Sequence, residues 1–272
     1  MTSFSSDTAF LWLDGSVVSV DDAAIYPSDR GFLLGDGLYE TFRVSGSSAP
    51  HLDLHWARLK QGCDLLRMTA PEKKRVEQAL RQLCDINQLE EGSARLTITR
   101  GTGPRGLPPP ANPRPTVMLT LNSLSRSEPT PARVMISSHR RDSHSILNRI
   151  KSTNALASIL ARIEAVEQKA DDALLLNERG MIAETTAANF LALWNGQIVT
   201  PFTQDGALPG ISRQRLIEAG LCSQASLSPA DLTAFKGGWL VTALNLIPIC
   251  QIGSVRIPLC PDRTRMLRHF LY

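Results

Sequence analysis

Arg149-Ile150-Lys151-Ser152-Thr153-Asn154 and, about thirty residues on, Ala183-Glu184-Thr185-Thr186-Ala187-Ala188-Asn189 are the two stretches around which the rest of the chain can be ordered. The first runs into residues 154–169, where Leu156, Ile159, Leu160, Ile163 and Val166 recur at helical spacing. That periodicity predicts a helix with its apolar stripe turned to the core. The second stretch is a small-residue loop between two apparent strands, and Glu184 is its only acid. A lysine before a helix and a glutamate at a strand end are usually solvated charges. The elements around them give the pair its weight.

On the C-terminal side, residues 173–177, 181–184, 190–194 and 197–200 read as a block of strands, with the hairpin signal Asn195-Gly196 inside it. Leu208-Pro209-Gly210-Ile211-Ser212-Arg213 leads into a helix that stops at Gly220, and Ser212 reads as its N-cap. Ser228-Pro229-Ala230-Asp231 opens another helix. Residues 239–244 read as a strand carrying Thr242, and residues 261–272 as a closing amphipathic helix. On the N-terminal side, residues 133–138, 116–121 and 95–100 read as strands. The Pro- and Gly-rich run 101–110 is a linker or a loop over a site. Helices are expected over residues 72–89 and 51–68, the latter containing Arg58, which as a helical arginine reads as a solvated charge. The glycines at 31, 35 and 37 read as turns before a strand over 39–44. Two short strands surround Asp14-Gly15. The Ser-, Pro- and charge-rich run 122–131 is the expected linker, giving domains at 1–121 and 132–272, with the lysine in the second.

The bulk composition excludes several classes. The chain has 272 residues, 43% hydrophobic and 20% charged, as expected of a globular protein with a sizeable core. Its net charge of +3 is scattered, which argues against a nucleic-acid surface. No apolar run reaches about 18 residues and no secretory leader pattern opens the chain, so a membrane span is not expected and a cytoplasmic location is. The five cysteines are odd in number and lack metal-ligand spacing, consistent with reduced thiols.

Pyridoxal phosphate chemistry is one possibility among many for these polar residues. A pyridoxal phosphate site needs a lysine amine for covalent attachment and proton transfer. It needs an acid at the pyridine nitrogen, and phosphate donors from an arginine and a helix N-terminus. Lys151, Glu184, Arg58 and the Gly210-Ile211-Ser212 helix start are of the right types, although spacing alone does not bring them together. A cofactor-free binding protein on the same architecture is the competing class, and burial of these charges without a partner would count against it.

Taken together the motifs resemble the class IV aminotransferases, the fold-type IV pyridoxal phosphate enzymes. The matching pieces run in order from about Trp12 to Ile249: Asp29-Arg30-Gly31 with Gly35-Asp36-Gly37-Leu38-Tyr39-Glu40, His55-x-x-Arg58-Leu59, Thr99-Arg100-Gly101, Ile150-Lys151-Ser152-x-Asn154, Glu184-x-x-x-x-Asn189, Thr200-Pro201 and Gly210-Ile211-Ser212-Arg213. The resemblance implies an α+β fold of two α/β domains with the cofactor site between them, close to a homodimer interface. It implies that Lys151 is the Schiff-base lysine and Glu184 the partner of the pyridine nitrogen. Arg58, Ile211, Ser212 and Thr242 would hold the phosphate. Tyr39, Arg105 and Ala243 would line the pocket for a small-molecule substrate.

Departures from the individual branches narrow the expectation. Branched-chain aminotransferases carry a tyrosine where this chain has Ala155, and D-amino acid aminotransferases carry a histidine after the loop arginine, absent from Pro104-Arg105-Gly106-Leu107. Aminodeoxychorismate lyases show Arg-Gly-Tyr there, so Arg105-Gly106 fits and Leu107 does not. Lys151-Ser152-Thr153-Asn154 is close to the Lys-Thr-Thr-Asn form of the lyase motif. The expected activity is therefore aminodeoxychorismate lyase, with a class IV transaminase of D-amino acid or branched-chain type as the alternative. Thr41 is a candidate helper at the leaving group, with a plain strand threonine as the simpler reading.

Overall fold

The computed structural model describes residues 8–124 and 128–272, so residues 125–127 of the expected linker lie outside the described part. The chain divides into two compact units: Met1–Arg126 with Ile150–Asn154, and Ser127–Arg149 with Ala155–Tyr272.

The first unit contains β1 (Phe10–Leu13), β2 (Ser16–Ser19), α1 (Arg30–Leu34), β3 (Gly37–Ser45), α2 (Leu52–Leu66), α3 (Lys73–Asn87), β4 (Glu91–Thr99) and β5 (Thr116–Ser123). Strand β5 thus continues two residues past the expected start of the linker. The strands form an antiparallel sheet in the order β2-β1-β5-β4-β3. Period-2 alternation sorts its side chains onto two faces. Leu38, Phe42, Val44, Ala94, Leu96, Ile98, Leu119 and Leu121 form one cluster with Leu59 and Cys63 of α2 and Val76, Leu80 and Leu83 of α3. The opposite face carries the alternate residues Tyr39, Thr41, Arg43, Arg95 and Thr97. The segment read as glycine turns contains α1, which is too short to show a period. The Asp29 carboxylate caps it by accepting from Gly31 N at 2.7 Å, and Gly35 ends it at φ 66°.

The lysine stretch belongs by its contacts to this first unit rather than to the second domain. Tyr39 N donates to Lys151 O and Thr153 N to Gly37 O, both at 2.9 Å, and Leu38 pairs with Ser152 in antiparallel sense. Five residues therefore lie as an added strand along the start of β3. The same alternation sends Ile150 into the core, 3% exposed, and Lys151 to the other face beside Tyr39.

The second unit contains β6 (Ala132–Arg141), α4 (Leu156–Glu167), β7 (Asp172–Asn177), β8 (Ile182–Thr185), β9 (Asn189–Trp194), β10 (Gln197–Thr200), α5 (Ile211–Glu218), β11 (Ser223–Gln224), β12 (Gly237–Val241), β13 (Leu246–Ile252), β14 (Val255–Arg256) and α6 (Pro261–Leu271). Its sheet runs β11-β10-β9-β12-β13-β6-β7-β8, with β14 on β13. The β6–β7, β6–β13 and β10–β11 pairs are parallel. Asn195 and Gly196 both take positive φ, 49° and 78°, as the two-residue β9–β10 hairpin requires. Ser228-Pro229-Ala230-Asp231 starts a single 3-10 stretch, where the Asp231 carboxylate accepts from Ser228 N at 2.8 Å. Among the described residues no helix is long and apolar enough to cross a membrane.

Helix α4 forms where the stripe predicts it but faces the other way. Leu156, Ile159, Leu160, Ile163 and Val166 are 44–66% exposed. The helix instead buries Ala161 and Ala165 against Met135 of β6 and Ala173 and Leu175 of β7. Small side chains let the helix backbone lie close to the strands, and that close approach decides which face goes in.

Candidate active site

In the first unit, Arg58 is not the solvated charge its helix position suggests. It is 7% exposed, with Nε 2.8 Å and Nη2 2.6 Å from the two carboxylate oxygens of Glu40, itself 1% exposed. His55, one turn earlier on α2, places Nδ1 2.7 Å from Glu40 Oε2. Glu40 lies on the core side of β3, so its fork fixes the plane of the guanidinium. Burial opposes ionisation of Glu40, but hydrogen bonds from Arg58 and His55 outweigh it and hold the carboxyl below its ordinary value.

On the opposite sheet face, Lys151 Nζ lies 4.5 Å from the Tyr39 ring centroid and the Arg95 guanidinium carbon 3.8 Å from it. Arg105 is exposed on the Pro/Gly loop, whose path is set by a neighbour. Arg30, 4% exposed, donates to the carbonyls of Gly106 at 3.1 Å, Leu107 at 2.8 Å and Pro108 at 3.2 Å. Its Nε donates to Asp36 at 2.8 Å, and Asp36 also receives Arg100 through Nε at 2.8 Å and Nη2 at 3.0 Å. Burial raises the Asp36 pKa, but the hydrogen bonds from Arg100 and Arg30 prevail and the net direction is down. The Asp-Arg-Gly and Thr-Arg-Gly motifs therefore work together as a clamp on the loop that bears Arg105.

In the second unit, Glu184 is the next-to-last residue of β8, with Oε1 2.9 Å from Arg141 Nη2, while Oε2 accepts from Leu208 N at 3.0 Å and Asn189 Nδ2 at 3.3 Å. Arg141 also donates to Gly206 O at 2.7 Å, which fixes it from the far side. Helix α5 is capped by Gly210, not by Ser212. A Cβ on Gly210 would collide with Asn189 Oδ1, so only glycine lets the helix start approach that side chain. The first N–H groups of a helix have no carbonyl behind them, which leaves the start of α5 suited to an anion. Ser212 Oγ donates to Thr242 O at 2.8 Å, and Tyr272 Oη to the same carbonyl at 2.7 Å. Thr242 lies just past β12, in the turn to β13, where its hydroxyl accepts from Leu244 N at 3.1 Å and Asn245 N at 3.0 Å. Ala243 follows in that turn.

The structure thus places Lys151, Tyr39, Arg58 and Arg105 in one unit, Arg58 on the core side of β3 and Lys151 and Tyr39 on the opposite face, and Glu184, Ile211, Ser212, Thr242 and Ala243 in the other. Glu40, Arg141, Arg30 and Arg95 support or flank these residues, and each is separated in sequence from the group it serves. No local pattern reveals them, although Arg30 and Glu40 fall within the recognised motifs.

The donor chemistry defines a class. A buried carboxylate paired with an arginine suits a protonated ring nitrogen. A fixed arginine and a bare helix start suit a phosphate, and an amine on a sheet face suits a carbonyl carbon. Residues 37–252 match the amino-transferase class IV family. A Methanocaldococcus jannaschii protein provisionally named a branched-chain-amino-acid aminotransferase is 31% identical over 90% of this chain and 88% of its own length. The aminodeoxychorismate lyase of Bacillus subtilis is 29% identical over 90% of this chain and 87% of its own. The crystal structure of the Escherichia coli branched-chain amino acid aminotransferase shares the fold, with a TM-score of 0.88 at 21% identity, covering 97% of this chain and 93% of that one. The chain belongs to the class IV aminotransferase family. It is an enzyme with pyridoxal phosphate as its cofactor, as the family is.

Proposed function

We propose that the enzyme is an aminodeoxychorismate lyase, converting 4-amino-4-deoxychorismate to 4-aminobenzoate and pyruvate, and that it works as a cytoplasmic homodimer in folate synthesis. The observation that carries this reading is the loop Pro104-Arg105-Gly106, which offers Arg105 for a substrate carboxylate from a path fixed by three Arg30 hydrogen bonds. Ala155 supports it, since the N-cap of α4 bears a methyl and no hydroxyl.

Lys151 would hold the cofactor through its amine, Glu184 its ring nitrogen, and Arg58, the α5 start at Ile211 and Ser212, and Thr242 its phosphate. When bound, the cofactor supplies an electron sink linked to the substrate amine. Lys151 takes the proton from the amine-bearing ring carbon. The C–O bond to the enolpyruvyl group then breaks with its electron pair on oxygen, the ring becomes aromatic, and the released enolate gains a proton at its methylene carbon to leave as pyruvate. Tyr39 packs against the Lys151 amine and limits the directions in which it can move that proton. Glu40 keeps the Arg58 guanidinium in plane, and Arg141 keeps the Glu184 carboxylate oriented.

The alternative is a transaminase of D-amino acid or branched-chain type, using the same lysine to move a proton between two carbons; the aminotransferase relative supports it. Cofactor-loaded protein offered aminodeoxychorismate should release equal amounts of 4-aminobenzoate and pyruvate. Offered L- or D-amino acids with 2-oxoglutarate, it should transfer little amino group. Rapid transfer without 4-aminobenzoate would overturn the lyase reading in favour of the transaminase.

A further inference from the structure

Asn189 closes the Glu184-x-x-x-x-Asn189 motif and has no part in the chemistry assigned to Lys151. It opens β9, is 6% exposed, and pairs through its backbone with Val241, the last residue of β12. Its side-chain amide is shared between two neighbours: Nδ2 donates to Glu184 Oε2 at 3.3 Å and to Leu208 O at 2.9 Å. Leu208 N donates to the same Glu184 oxygen at 3.0 Å, so carboxylate, amide and peptide form a closed ring. On its other side Asn189 meets the start of α5. A Cβ built on Gly210 would lie 1.9 Å from Asn189 Oδ1 and 3.1 Å from its Cγ, with Arg213 Cβ next at 3.7 Å. One planar amide therefore touches both the carboxylate assigned to the ring nitrogen and the helix start assigned to the phosphate. Neither neighbour depends on it for a partner. Glu184 also has Arg141 and Leu208 N, and Leu208 O also accepts from Gly210 N at 2.8 Å. A group whose hydrogen bonds duplicate others, but whose shape fills the gap between two anchors, serves spacing more than stability.

We propose that Asn189 is a positioning residue that sets the separation and tilt between the Glu184 carboxylate and the first turn of α5. The inference rests on Glu184 and α5 holding the two ends of the cofactor, and it applies to a lyase and a transaminase alike. A molecule gripped at two ends binds far more tightly than either half only when the grips match its span. The Asn189 amide keeps that match. Without it each grip can still take its own half, but the two no longer fit one rigid molecule.

The test measures, by calorimetry on the full-length protein stripped of cofactor, the binding of pyridoxal phosphate, of pyridoxal and of inorganic phosphate. Asn189→Ala should weaken pyridoxal phosphate roughly ten- to a hundred-fold. Pyridoxal and phosphate, each held at one end, should change only a few-fold, and the melting temperature without cofactor should stay close to wild type. Asn189→Asp has the same shape but sets a second carboxylate against Glu184, so it should lose at least as much. Gly210→Ala should weaken pyridoxal phosphate in wild type by pushing the helix start off Asn189 Oδ1, yet add little in Asn189→Ala, where that clash is gone. Equal loss for all three ligands in Asn189→Ala would show a structural role and overturn the proposal. So would a loss for pyridoxal as large as for pyridoxal phosphate, since Asn189 would then serve Glu184 alone. Wild-type affinity for pyridoxal phosphate in Asn189→Ala would also overturn it. Unchanged pyridoxal phosphate affinity in Glu184→Gln would remove the cofactor assignment itself, and the proposal with it.

Discussion

Replacing Glu40 by alanine tests whether the first unit depends on the buried charge group beneath its sheet. The substitution removes the partner of Arg58 at 2.8 and 2.6 Å and of His55 at 2.7 Å, and leaves a guanidinium 7% exposed with its counter-charge gone. Breaking a buried pair from one side costs about 3–5 kcal/mol. At about 2–4 °C per kcal/mol for a chain of this size, the melting temperature of the cofactor-free protein should fall by roughly 6–20 °C. The double variant Glu40→Met with Arg58→Met should lose less than Glu40→Ala alone, because it removes both charges and refills the volume. The pH dependence has a defined sign. The folded-state pKa of Glu40 lies below the ordinary 4.5, so its stabilisation is present above that value and is lost as pH falls through the folded pKa. Glu40→Gln should therefore flatten the acid limb of the stability curve. A calorimetric melt of Glu40→Ala within about 3 °C of wild type, or a double variant worse than the single, would refute the reasoning.

Two further outcomes follow from other parts of the structure. Arg30→Ala removes the donors to three loop carbonyls, so trypsin should cut after Arg105 at least several-fold faster than in wild type, as gel electrophoresis can follow; an unchanged rate would mean the loop holds itself. On α4, Ile163→Lys should change stability by no more than about 0.5 kcal/mol, whereas Ala165→Leu should cost about 1–3 kcal/mol by overpacking, and urea titration that reversed this order would restore the core-facing reading of the stripe.

The sequence shows most of the secondary structure because most of it has a clean period. The stripes in α2 and α3 each lie along one wall of a sheet, and the Asp14-Gly15 and Asn195-Gly196 turns carry their own backbone requirement. Helix α1 escapes notice because five residues complete little more than one turn. Helix α4 misleads because period locates an apolar face without saying what it meets, and here two alanines win the contact with β6 and β7. At the site, the residue types at Lys151, Glu184 and Arg58 are legible as chemistry, but their supports are not. Glu40 meets Arg58 from a strand eighteen residues away, and Arg141 meets Glu184 from another strand. Such pairings are products of sheet register, which a local window cannot contain.

The added strand Ile150–Asn154 has a consequence for how the protein is made. Strand β3 ends its sheet, and Lys151 and its neighbours cover the backbone groups that would otherwise be open there. During synthesis β5 leaves the ribosome before that cover exists, and the chain must lengthen from Ser123 to Asn154 first. At ordinary elongation rates the interval is on the order of a few seconds, long enough for a nascent sheet to meet a chaperone or a neighbouring chain. A peptide spanning residues 150–154, supplied to a fragment ending after β5, would close the same border, so the lysine proposed to hold the cofactor arrives on the segment that seals the nascent sheet.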